Sequence, residues 1–197
     1  IKPRKQKSIT NYTNNNPYRL IYVSTIDEYK HQWHVVEAVG QLRQDGYPII
    51  LELIGAFYPP SLRRLKTVMN NLDLNNEWVF YNSSISHDKL RQKYLDSDLG
   101  LFASSCENMP NILLEIMGAG LPIACSNRKP MPEILGEGGE YFNPEERDSI
   151  YKAIIKLINS PNKRAQKAEI AFNISEKYSW EKCSHQTFRF LSSLVKE

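Results

Sequence analysis

Short apolar runs alternate with amphipathic stretches along almost the whole chain. Residues 18–24 (YRLIYVS) form the first apolar run, and a helical pattern follows to about Gln44, where Asp45-Gly46 supplies a turn. Residues 48–55 (PIILELIG) predict a second strand. In SLRRLKTVMNNL, Leu62, Leu65, Met69 and Leu72 fall on one helical stripe. WVFYN predicts a third strand, and Ser86 stands where it would cap a helix carrying Leu90 and Tyr94. LGLFAS, PIACS and GEYFN predict strands four to six. From Glu145 onward the pattern is helical. Ile150, Ile154, Leu157 and Ile158 mark one helix, and Cys183, Thr187, Phe190 and Leu194 mark the last.

Parallel strands need a crossover long enough for a helix, and this alternation supplies one after each strand. The pattern therefore predicts an α/β fold: a doubly wound, Rossmann-like parallel sheet of about six strands with helices on both faces. Ligands of such a sheet bind beyond the carboxyl ends of its strands.

Bulk properties narrow the partners. The chain has 197 residues, 41% of them hydrophobic and 24% charged, enough for one domain with a full core. Its net charge of +3 is spread thinly, so no nucleic-acid partner is expected. The densest basic run, IKPRKQK, precedes the polar NYTNNN. Residues 1–17 read as a solvated linker, with peripheral contact to an anionic membrane surface as the expectation for its basic end. No apolar run approaches the roughly 18 residues of a membrane span, and no signal-peptide pattern is present. Cys106, Cys125 and Cys183 are widely spaced and form no metal or redox motif, which suits a reducing compartment.

The stretch ENMPNILLEIMGAGLPIACS (residues 107–126) carries the chemistry. Glu107 falls in the loop after strand four, where a ligand should bind. Pro110 suits the first position of a helix, because its missing N–H would be unpaired there. Glu115 lies just over a turn inside, and Gly118 and Gly120 end the helix. The helix start presents free amides and a positive dipole end, suited to phosphate. Acids on both sides of an anion site make sense as acceptors from hydroxyls, as in a nucleotide sugar. Other features weigh less. His31 and His34 sit three apart without a third ligand nearby, so no metal is expected. Cys106 reads as a small buried residue, and GEGG (136–139) as a turn.

Glu107 and Glu115, with seven residues between them and Met117, Gly118, Gly120 and Pro122 following in register, resemble the signature of the retaining family 4 glycosyltransferases of GT-B fold. YVSTIDEYKH, ELIGAF, VFYNSSISHDKL, LGLFASSCE, MPEIL and KYSWEK resemble further family segments, so the likeness runs from Tyr18 to Trp180. It implies that residues 18–197 are the donor-binding half of a two-domain enzyme, that residues 1–17 are the interdomain linker, and that the acceptor-binding half precedes Ile1. Catalytic roles fall on Glu107, which contacts the transferred sugar, and Lys30, which neutralises the departing diphosphate. Glu115 accepts from the ribose; Met109, Pro110 and Asn111 offer backbone contacts; Tyr81, Asn82 and Ser83 line the base. No metal or cofactor is implied.

Two departures stand out. Thr25 occupies the place of a common arginine, next to Ser24 in place of a glycine, and Arg128 or Lys129 is expected to supply the missing charge. Asn108 replaces a glycine after Glu107, where its tolerance of left-handed backbone would preserve the turn. The implied reaction moves a hexosyl or N-acetylhexosaminyl group from a UDP-sugar to a lipid-linked glycan or polysaccharide, with retention. O-antigen or capsule assembly in the cytoplasm, at the inner face of the plasma membrane, is the implied setting. The isolated half is expected to be inactive alone, and a non-catalytic nucleotide-sugar-binding module is the alternative. An NAD-dependent oxidoreductase lacks its glycine fingerprint after strand one.

Overall fold

The computed structural model describes residues 3–194. Its strands are β1 (Tyr18–Val23), β2 (Ile49–Ile54), β3 (Val79–Asn82), β4 (Leu99–Phe102), β5 (Ile123–Ser126) and β6 (Gly139–Phe142). Its helices are α1 (Gln32–Gln44), α2 (Pro59–Leu72), α3 (His87–Asp96), α4 (Asn111–Gly118), α5 (Met131–Leu135), α6 (Arg147–Ile158), α7 (Pro161–Ser175) and α8 (Trp180–Leu194). The strands form one sheet in the order β3-β2-β1-β4-β5-β6, and every pairing is parallel. Helices cover both faces: α1 packs on α2 and α6, while α4 packs on α5 and α7. The fold is the doubly wound Rossmann-like one that the alternation predicts. The strand order reverses between β1 and β4, so the loops leaving those two strands part and open a crevice.

Central strands buried on both faces have no polar side to alternate, hence their continuous apolar runs. Leu20, Tyr22, Leu51, Leu53, Leu101 and Ile123 are all fully buried. One glycine sets how the site-bearing helix sits. A Cβ on Gly100 of β4 would lie 2.4 Å from Cγ2 of Ile116, so only a glycine lets α4 approach the sheet this closely.

Several local expectations shift. Pro110 is the N-cap of α4, one residue before the first helical position. Ser86 holds the N-cap of α3, but its side chain makes no capping hydrogen bond. The closing helical region holds a further helix, α7, between the two expected ones, and Ser160 caps it by accepting from the amide of Lys163. The stripe on α8 stays exposed: Cys183, Phe190 and Leu194 face solvent, and no described residue of this helix is buried.

Residues 3–16 differ most from the solvated linker. Ile1 and Lys2 of the basic run lie outside the described residues, but the rest is anchored. Arg164 of α7 is completely buried, and its guanidinium donates to Oε1 of Gln6, to the carbonyl of Lys7, and to the carbonyls of Leu157 and Ile158 that end α6. The ring of Tyr18 lies 5.4 Å away, under the cation. Tyr12 then donates to Oδ1 of Asp98 at 2.8 Å, while Oδ2 of Asp98 accepts from the amide of Arg19. A buried cation is tolerable only when its donors are met, and here three backbone oxygens and the Gln6 side chain meet them.

Arg164→Met leaves those oxygens unsatisfied. It is expected to lower stability by about 3 kcal/mol, read as a fall in the urea midpoint. Amide exchange over residues 6–12 should accelerate in the same variant.

Candidate functional site

The loop leaving β1 is shaped before it reaches its functional residue. Gln32, fully buried, donates through Nε2 to the hydroxyl of Ser24 and to the carbonyl of Thr25, both at 2.8 Å. Asp27 caps a short turn over Glu28–Lys30 by accepting from the amide of Glu28. His31 follows with φ 52° and ψ 30°, left-handed backbone that ends this turn and starts α1. Histidine is among the side chains that tolerate this conformation best. Asn108 does not have positive φ; among the described residues His31 and Asn76 are the non-glycine positions that do, and only His31 adjoins the crevice.

The turn directs Lys30 inward. Lys30 is 8% exposed, its carbonyl accepts from the hydroxyl of Tyr22, and Nζ lies 4.8 Å from the ring of Tyr29 and 5.7 Å from that of Phe102. An ammonium so far removed from water needs a counterion. Glu107 provides it through Oε1, so the structure brings the two expected catalytic residues into one ion pair.

The loop leaving β4 is stitched to the first one just before that pair. The amide of Ser105 donates to the carbonyl of Tyr29 at 2.8 Å, and its hydroxyl donates to the same oxygen at 3.3 Å. His31 Nε2 lies 2.9 Å from that hydroxyl oxygen. With the hydroxyl proton directed at Tyr29, Nε2 is assigned as the donor to that oxygen. Nδ1 of His31 is buried without a partner. Burial, then the neighbouring His34 ring stacked 5.6 Å away, pushes the pKa of His31 below its ordinary value. Cys106 is exposed, contrary to its reading as a buried residue, because the chain turns outward between the Ser105 stitch and the Glu107 pair. Asn108 and Met109 continue this exposed tip, and the buried Pro110 returns the chain to α4, which Asn111 opens.

Glu115 is half-buried on α4. The buried Tyr94 of α3 donates its hydroxyl to Oε2 of Glu115 at 3.2 Å. The residues expected to line a base lie at the end of β3. Tyr81 donates to the carbonyl of Gly55, the side-chain amide of Asn82 donates to Oε1 of Glu52, and Ser83 is exposed. Two strands separate them from the crevice, and they adjoin a groove of about 810 Å³ lined by Arg19, Glu52, Lys66, Phe80 and Lys93.

Thr25 is exposed beside the crevice. Of the residues considered in place of an arginine there, Arg128 donates to Asn143 and Glu145 and lies close enough to His31 to depress its pKa. Lys129 pairs with Glu133 at 3.3 Å. Arg64 also bears on His31, its guanidinium 3.9 Å above the ring of Trp33. Among the described residues no group of three or more His, Cys, Asp or Glu could hold a metal, and no helix is long and apolar enough to cross a membrane. The sequence reading missed the Ser105 stitch and the partner of Glu115. A buried tyrosine usually finds a partner for its hydroxyl, and that was the available signal for the second.

Comparison with known proteins adds lineage to this geometry. The sequence model of the family described as Glycosyl transferases group 1 matches residues 4–173. A curated relative, the O-antigen chain mannosyltransferase B of Escherichia coli, is 24% identical over 170 residues, covering 85% of this chain and 44% of that protein. The crystal structure of Anabaena HepE in complex with UDP and glucose superimposes with a TM-score of 0.81 at 20% identity, over 91% of this chain and 49% of that one. The C-terminal domain of the group 1 family glycosyl transferase LpcC from Francisella tularensis matches with a TM-score of 0.74 at 17% identity, over 89% of this chain and 94% of that one. The chain thus spans about half the length of the first two relatives.

The depressed pKa of His31 fixes the sign of a pH effect. In the unfolded chain the ring gains its proton near 6.5, whereas the folded site resists protonation to a lower pH. The stability that neutral His31 contributes is complete above about 6.5 and declines as pH falls from there through the folded value. Denaturation across that range should show a shallower acid loss in His31→Gly, which keeps the backbone conformation. His31→Ala should be less stable than His31→Gly by about 1 kcal/mol at neutral pH.

Proposed function

We infer that this chain, which belongs to the glycosyl transferases group 1 family, binds a nucleotide-sugar donor for a retaining family 4 sugar transfer. The observation that carries this reading is the buried Lys30–Glu107 pair in the crevice between β1 and β4, beside the start of α4. Amides at the start of α4 and the ammonium of Lys30 offer positive charge to a diphosphate. Glu107, on the loop leaving β4, offers a carboxylate to hydroxyls of the sugar. Glu115, further along α4, offers one to the ribose.

In the proposed reaction the bond between the anomeric carbon and the phosphate oxygen breaks, and negative charge builds on the diphosphate. Lys30 and the helix amides stabilise that charge more in the transition state than in the ground state, and no metal is needed. The departing phosphate takes the proton of the acceptor hydroxyl on the same face, the new glycosidic bond forms there, and configuration is retained. A diphosphate entering the crevice competes with Glu107 for the ammonium of Lys30, releasing the carboxylate toward the sugar. Proton and charge thus leave with the nucleotide.

The donor is proposed to be a UDP-sugar carrying a hexosyl or N-acetylhexosaminyl group; the UDP-bound HepE and the mannosyltransferase relative support a nucleotide sugar of this class. The base is assigned to Tyr81, Asn82 and Ser83, and further donor contacts to Thr25, Asn108, Met109, Pro110 and Asn111. The acceptor is proposed to be a lipid-linked or polysaccharide glycan of a bacterial surface, assembled at the cytoplasmic face of the membrane, as the name of the O-antigen relative suggests. Turnover is assigned to an enzyme in which an acceptor-binding half faces this crevice.

Calorimetric titration with UDP, UDP-glucose, GDP and NAD tests the reading. UDP is expected to bind and NAD not to. Lys30→Gln should weaken UDP by about tenfold to a hundredfold, the worth of a charge-assisted contact. Glu107→Gln should leave UDP affinity within a few-fold while removing any added affinity for UDP-glucose. NAD binding, or UDP affinity indifferent to Lys30, would overturn it.

A further inference from the structure

Glu115 stands on α4 with three rotatable side-chain bonds, yet one of its oxygens is held from a different helix. Tyr94 lies on α3, the crossover between β3 and β4, and its ring is part of the core at 5% exposure. That packing fixes the two side-chain torsions of the phenol and with them the position of its oxygen. The hydroxyl reaches Oε2 of Glu115 at 3.2 Å. Burial, reinforced by the negative charge and the hydrogen bond of Glu115, raises the pKa of Tyr94, so it stays a donor throughout the working range. A carboxylate offers about four lone-pair positions. Tyr94 takes one on Oε2, which leaves Oε1 and the remaining position on Oε2 for two donors side by side.

Two hydroxyl donors side by side are what a vicinal diol presents. We propose that Tyr94 is a positioning residue that orients Glu115 toward the 2′,3′-diol of a nucleotide, and that it thereby sets a preference for ribonucleotides over 2′-deoxyribonucleotides. This rests on the assignment of Glu115 to the ribose. Without the phenol, Glu115 samples its rotamers, and the second hydroxyl contact is made only part of the time. A loss of orientation of this kind costs the ribonucleotide more than the deoxyribonucleotide, which has only one hydroxyl to lose. General weakening of the fold would lower both affinities together.

The test uses the 197-residue chain with UDP, GDP and their 2′-deoxy forms, titrated into the wild type, Tyr94→Phe and Glu115→Ala. Phenylalanine fills the same volume, so the variant loses one oxygen and keeps the packing; its melting transition checks this. The wild type is expected to prefer the ribo form of the nucleotide it binds by about tenfold, the worth of one hydrogen bond to a charged acceptor. Glu115→Ala should abolish the preference, and Tyr94→Phe should reduce it to about threefold or less, mainly by weakening the ribo form. A full wild-type preference in Tyr94→Phe, with its loss in Glu115→Ala, overturns the role of Tyr94 and leaves the ribose assignment standing. A preference unchanged in Glu115→Ala, or absent from the wild type, overturns the ribose assignment and the inference with it.

Discussion

Burying an ammonium between aromatic rings obliges the rest of the chain to deliver a carboxylate to it. Lys30 creates that demand and Glu107 answers it from a loop 77 residues later in the sequence. Most of the local detail around the crevice serves this meeting. The left-handed backbone at His31 turns Lys30 inward, Tyr22 holds its carbonyl, and Ser105 ties the second loop to the carbonyl of Tyr29 before Glu107 arrives. The sheet contributes the rest, because only the reversal of strand order beside β1 makes these two loops neighbours that diverge.

The two glutamates of one motif end in different chemical states of satisfaction. Glu107 faces a cation, so its charge is balanced. Glu115 faces a neutral phenol, which takes one lone-pair position and leaves room for two more donors. One residue type, placed at two points around one helix start, therefore pairs with a cation at one and with a neutral hydroxyl at the other.

Much of this was legible in the sequence. Six strands and their order of helices follow from periodicity, since buried parallel strands and amphipathic helices differ in repeat. Lys30, Glu107 and Glu115 were legible because their spacing matched a family pattern. What stayed hidden depends on partners distant in sequence. Arg164 looks like any surface arginine of a helix until Gln6 and Lys7 fold back over it. Cys106 has the composition of a buried residue, and only the path of its loop exposes it. Asn108 seemed the natural host for left-handed backbone, but the turn that needed it lay at His31. Apolar residues on α8 have a helical period and stay exposed, a distinction that periodicity does not contain.

The anchoring of the amino-terminal segment has a mechanical meaning. Arg164 and Asp98 grip it where the strands begin, against Tyr18 and Arg19, whereas the Lys30–Glu107 crevice lies where they end. A torque applied at residue 3 enters the domain at one end of a lever, and the crevice rides on the other. Over strands about 20 Å long, a rotation of about 5° carries the crevice nearly 2 Å. Displacements of about 1 Å are enough to separate productive from unproductive alignment of reacting groups. The buried arginine that looks like a packing detail is thus a fulcrum for the crevice edge of the sheet.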